Sequence, residues 1–170
     1  MATTDLSAYD PASLPNAAGY RIAVVTSAWN QEITSGLKSG AMALLLEAGV
    51  LSDNIVELAV PGAFELPLGA AMALRDGTID AAICLGSVIR GETAHFDYVC
   101  SGTAHGIQNV ALQTGKPVIF GVLTDDNIDQ SRARSGGKHG NKGTEAAVTA
   151  LQMVALNKAH DGSGRSPLGF

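Results

Sequence analysis

Ala81-Ala-Ile-Cys-Leu-Gly-Ser-Val-Ile-Arg-Gly-Glu-Thr-Ala-His95-Phe-Asp-Tyr-Val-Cys100 is the stretch on which the reading of this chain turns. Ala81 to Leu85 is an apolar run with the length and make-up of a strand buried on both faces. Gly86-Ser87 and Gly91-Glu92-Thr93 then read as the turn into a helix that begins near Ala94. A strand feeding a helix through such a loop aims the helix's free N–H groups above the strand's carboxyl end, a place suited to an anion. In open α/β sheets, ligands collect along that same edge. His95 falls in the first helical turn, and histidine is the residue type suited to moving protons near neutral pH.

The rest of the chain repeats this alternation. Arg21 to Thr26 and Pro117 to Leu123 read as buried strands, and Asn54 to Val60 as a third, ended by Pro61-Gly62. Helical spacing of Ile33, Leu37, Ala41, Leu44 and Leu45 predicts a helix from Gln31 to Ala48, stopped by Gly49. Further helices are predicted over Ala63–Leu74, from Ala94 to Thr114, and over Asn141–His160. Between the last two, Thr124-Asp-Asp-Asn127 caps a short helix that Ser135 to Gly140 interrupts. The alternation predicts a three-layer α/β/α sandwich around a four-stranded parallel sheet, flavodoxin-like in type. One domain then covers residues 20–160, between a polar N-terminal arm (1–19, with Pro11 and Pro15) and a Gly/Ser-rich tail (161–170). Two readings of the arm stay open: a flexible tail, or a strand added to a neighbour's sheet.

Composition narrows the function. Hydrophobic residues make up 46% of the 170 and charged ones 16%, so apolar faces are expected to be covered by other copies of the chain. A net charge of −5 argues against a nucleic-acid-binding face. Cys84 and Cys100 read as reduced core residues of a cytoplasmic protein. The first nineteen residues hold no Lys or Arg and read as neither a secretory signal nor a transit peptide, and no run reaches the length of a membrane span.

Each predicted strand end carries something to explain. Trp29, the single tryptophan, and Asn30 follow the first strand; the indole is either a packing anchor or a platform for a flat heterocycle. Ala63-Phe64-Glu65 follow the second behind Gly62, where Glu65 either favours the helix dipole or faces a ligand. Ser87, Val88 and Ile89 lead into the His95 turn, and Phe120 lies inside the last strand. Arg132, Arg134, Lys138 and Lys142 put four of the chain's eleven Lys/Arg residues into a glycine-interleaved stretch. Arg132 and Lys138 read as solvated, whereas Arg134 closes the short helix and suits a phosphate. Lys142 is a weak Schiff-base candidate in a glycine-rich loop. No dinucleotide fingerprint, Walker loop, nucleophile elbow or metal-ligand spacing is present, and mid-strand Cys84 makes a poor nucleophile.

Four blocks in order carry a resemblance: Val60-Pro-Gly-Ala-Phe-Glu65, Leu85 to Val99, Pro117-Val-Ile-Phe-Gly121 and Gly140-Asn-Lys-Gly143. From about Arg21 to His160 the chain resembles the 6,7-dimethyl-8-ribityllumazine synthase family of riboflavin biosynthesis. The resemblance implies a transferase that condenses 5-amino-6-ribitylaminouracil with 3,4-dihydroxy-2-butanone 4-phosphate, releasing phosphate and water without metal or cofactor. It implies that Trp29, standing where an aromatic (usually phenylalanine) is found, stacks on the pyrimidine. Ala63, Phe64, Glu65, Ser87, Val88 and Ile89 then hold the ring and ribityl chain, with Asn30 beside them. Gly91, Glu92 and Thr93 form the phosphate turn, with Glu92 where a smaller residue is common, and His95 moves protons. Arg134 binds phosphate and Phe120 contacts the ring, both from a neighbouring subunit; Lys142 is counted with the substrate-binding set. Pentamers are implied, in some members twelve of them in an icosahedral shell, with riboflavin synthase a candidate partner. Three alternatives stay open: a riboflavin-holding scaffold, a riboflavin synthase on the same fold, and a flavodoxin-like electron carrier.

Overall fold

The computed structural model describes residues 7–161, and the nine residues beyond Asp161, where the sequence predicts a loose tail, lie outside them. Element order is β1 (Ile22–Ser27), α1 (Gln31–Glu47), β2 (Ile55–Val60), α2 (Leu66–Leu74), β3 (Ala81–Ile89), α3 (His95–Thr114), β4 (Val118–Asp125), α4 (Ile128–Arg134), β5 (Ser135–Gly137), β6 (Gly140–Asn141) and α5 (Lys142–Asp161). The main sheet has four strands in the order β2-β1-β3-β4. All its pairings are parallel, with Ile22 opposite both Ile55 and Ala81, and Cys84 opposite Phe120.

Alternation along the strands divides the core in two. Ile22, Val24, Ile83 and Leu85 face α1 and α5, meeting Leu37, Ala41, Leu45, Ala147 and Leu151. Ala23, Val25, Ala82 and Cys84 face α2 and α3, meeting Leu66, Ala70 and Ile107. Helices on both faces explain why the central strands read as unbroken apolar runs. Helix α2 lies unusually close to the sheet: a Cβ on its Gly69 would come within 2.7 Å of Val25.

Several boundaries differ from the sequence reading, two of them for one reason. Gly86-Ser87 is not a turn; β3 continues to Ile89 because β4 runs on beside it to Asp125, pairing Val88 with Thr124 and Ile89 with Asp125. Gly86 serves close approach instead, since a Cβ there would stand 2.9 Å from Leu66 and 3.3 Å from the Ser27 hydroxyl. The cap of α4 is accordingly Asn127, whose side chain accepts the Gln130 N–H at 3.1 Å. Ahead of α2, Ala63–Glu65 is a separate 3-10 turn, and the interruption after α4 is the antiparallel β5–β6 hairpin. Arm residues 7–19 form no strand; Tyr9 and Leu14 lie against the α1–α5 side of the core, and the Tyr9 hydroxyl donates to Glu47 at 3.0 Å.

Candidate active site

A hollow of ≈ 570 Å³ opens at the carboxyl ends of β1 and β3. Trp29, Asn30, Ala63, Phe64, Glu65, Ser87, Val88, Ile89 and His95 line it, joined by Tyr98 and Val99. Three strand-end loops that are far apart in sequence therefore meet at one concave surface, where an α/β sheet is expected to bind its ligand.

Each wall has a local cause. Asn30 adopts the left-handed conformation at φ 56°, which asparagine tolerates better than most residues, and this lets the chain reverse from β1 into α1. Its side-chain amide donates to the Ser87 carbonyl at 2.8 Å, so Asn30 pins the first loop to β3 rather than offering its N–H to a ligand. Trp29 is 67% exposed and its ring lies over Gly62, where a Cβ would stand 2.7 Å from two ring carbons. The indole is otherwise largely exposed and lines the hollow. Glu65 accepts the Gly62 N–H at 3.0 Å, closing the 3-10 turn on itself. Phe64, 57% exposed, lies across Gly102 of α3.

Ser87 is buried at 4% exposure and makes a long contact, 3.5 Å, with the Ser131 hydroxyl, which donates to Asp125 at 2.6 Å. Ser131 and Asp125 thus back the pocket from α4 and β4. His95 opens α3, exposed, and its backbone N–H reaches the Thr93 hydroxyl at 3.4 Å. Gly91, Glu92 and Thr93 form the exposed turn just before it.

The remaining expected residues lie elsewhere on the same chain. Phe120 and Lys142 line a second hollow of ≈ 490 Å³ between α3 and α5 along β4, with Glu145 on its wall. Arg134 is largely buried; its Nη2 pairs with Glu145 at 2.6 Å and its Nη1 donates to the His139 carbonyl at 2.7 Å. Lys142 pairs with the other Glu145 oxygen at 3.1 Å. Asn141 secures this region: its side chain donates to the Gly36 carbonyl at 2.9 Å and accepts the Gly143 N–H at 2.8 Å. Arg132, read as solvated, is exposed and pairs at the surface with Glu32 of α1 at 2.7 and 3.1 Å; Lys138 is exposed.

Sequence reasoning missed Tyr98, Val99 and Glu145. The first two sit three and four positions after His95, the helical spacing that puts them on its face. Glu145 follows Lys142 by three positions and has the same signal. Cys84 is buried, and burial pushes its thiol up to about 12, so it carries no thiolate at neutral pH. Among the described residues no helix is long and apolar enough to cross a membrane.

The sequence also matches known proteins. The family model described as 6,7-dimethyl-8-ribityllumazine synthase matches residues 19–158. The protein of that name from Christiangramia forsetii is 53% identical over 161 residues, covering 93% of this chain and 96% of its own. Those from Cytophaga hutchinsonii (51% identical; 91% and 96% covered) and Flavobacterium johnsoniae (49%; 93% and 84%) are similarly close. By these matches, the chain belongs to the 6,7-dimethyl-8-ribityllumazine synthase family.

Proposed function

We propose that this chain condenses 5-amino-6-ribitylaminouracil with 3,4-dihydroxy-2-butanone 4-phosphate to give 6,7-dimethyl-8-ribityllumazine, phosphate and water. Beside family membership, one observation carries the assignment of residues: Trp29 and His95 open onto the same hollow. The exposed indole of Trp29 and the Phe64 ring suit a flat pyrimidine. The pyrimidine brings its own amine, so imine formation with the ketone needs no protein lysine.

What remains for the protein is orientation and proton movement. Holding two reactants in geometry contributes roughly 7–11 kcal/mol, and one placed acid/base about 10²–10⁴-fold in rate. Positioning therefore outweighs proton transfer. In this reading His95 shuttles protons during imine formation and phosphate loss, and the Gly91–Thr93 turn holds the phosphate. Arg134, held by Glu145, would meet that phosphate from an adjoining copy, with Phe120 and Lys142 beside it. The separation of the two hollows within one chain supports a site completed between copies, as does the low charge content. A homopentamer, or an assembly of pentamers, acting in the cytoplasm is the corresponding assembly.

The test is direct: full-length protein is incubated with both substrates and the lumazine chromophore is followed. Product at a rate proportional to protein supports the reading. Riboflavin from lumazine alone would favour the synthase alternative, and flavin binding without turnover the scaffold. Particle mass in solution checks the assembly; a monomer with full activity would overturn the shared site.

A further inference from the structure

Arg90 stands between the end of β3 and the Gly91–Thr93 turn. Its backbone N–H donates to the Asp125 carbonyl at 2.9 Å, extending the β3–β4 ladder by one residue. Its side chain then reaches two elements at once. Nε donates to Asp126 at 3.0 Å in the β4–α4 link, and Nη1 pairs with Asp97 at 3.2 Å in the first turn of α3. The guanidinium also stacks on Phe96, 4.1 Å from the ring centroid, and Phe96 is itself buried. A planar cation with fixed donors is well shaped to hold two carboxylates and a ring face together.

The surroundings make this cation consequential. Residues 90–97 and 124–127 contain Glu92, Asp97, Asp125 and Asp126 and only one cation, Arg90. Asp125 accepts from Ser131, which leaves its charge in place. A phosphate bound at the neighbouring turn would meet a field dominated by carboxylates unless two of them were neutralised. Because Arg90 and both partners are substantially exposed, at 44%, 61% and 69%, these pairs contribute little to stability. Their effect falls on the charge met by an incoming anion.

We infer that Arg90 is a positioning residue for the phosphate-bearing substrate: paired with Asp97 and Asp126, it cancels their charges beside the phosphate turn. This rests on the functional reading above for where the phosphate sits. It assigns Arg90 no contact with either substrate.

The experiment compares full-length wild type, Arg90→Ala, Arg90→Lys and the triple variant Arg90→Ala/Asp97→Asn/Asp126→Asn. Arg90→Ala should raise KM for the phosphorylated ketone about tenfold at low salt, with kcat and the pyrimidine KM changed less than about twofold. The increase should shrink at high ionic strength. Arg90→Lys should fall between, and the triple variant should return to within about threefold of wild type, which a purely structural arginine would not allow. Equal losses for both substrates, an unchanged KM, or no recovery in the triple variant would each overturn the inference. Calorimetric titration with inorganic phosphate supplies a readout independent of turnover. If wild type makes no lumazine, the functional reading fails. The inference then stands or falls on whether Arg90→Ala weakens phosphate binding and the triple variant restores it.

Discussion

The two hollows differ in chemistry as much as in position. The one at the strand tips presents Trp29, Phe64 and Tyr98 to solvent beside His95, and among the described residues no lysine or arginine lines it. The one along β4 is bordered by Lys142 and Glu145, with Arg134 paired behind them. One suits a flat ring and the other an anion, yet the proposed reaction needs both at once. On the proposed reading, function is thus a matter of which surfaces of separate copies meet, and each half can be broken without touching the other.

The largest effect should come from breaking both halves in different copies. His95→Ala and Arg134→Ala should each lower kcat/KM about 10²-fold, the first through turnover and the second chiefly through KM for the phosphorylated ketone. If the two variants are mixed at equal amounts, unfolded and reassembled together, about a quarter of the sites receive one intact half from each copy, by random pairing in a ring. Activity should then recover to about a quarter of wild type, measured by lumazine formation. Recovery no greater than the mean of the two variants would mean that the halves do not share a site.

A smaller effect sharpens the anion half. Glu145→Ala removes the carboxylate that aligns Arg134 and Lys142, and should raise KM for the phosphorylated ketone about tenfold while sparing the pyrimidine, as steady-state kinetics would reveal. The ring half has its counterpart in Gly62→Ala. The added methyl meets the Trp29 ring, and displacing the indole should weaken pyrimidine binding several-fold, read as KM with kcat nearly unchanged.

The smallest effect lies outside both hollows. Arg132 holds the Glu32 carboxyl below its ordinary range, chiefly by their hydrogen bond. A depressed carboxylate adds stability above its unfolded value and loses it as pH falls through the folded one. Glu32→Gln should therefore lower Tm by about 1 °C at most at pH 7, since the pair is exposed, and the difference should vanish as pH falls through the acid range. A larger difference at acid pH than at neutral would reverse the assignment.

The sequence by itself determined the layers and most of the ring half. Apolar runs bounded by turns are local signals, and parallel pairing demands strands buried on both faces, so the alternation from Arg21 to His160 was legible without coordinates. Trp29 and His95 were legible because one lies in the loop, and the other at the helix start, that follows a buried strand. Where Gly86 would lie was not: it looks like a turn glycine, and only the approach of Leu66 and the length of β4 keep it in the strand. The tertiary structure alone decided that Asn30 spends its amide on Ser87, 57 residues away, that Arg134 pairs with Glu145, and that Arg134 does not line the hollow that holds His95. Those outcomes depend on which surfaces come together after the layers pack, and a linear pattern carries periodicity but not distance.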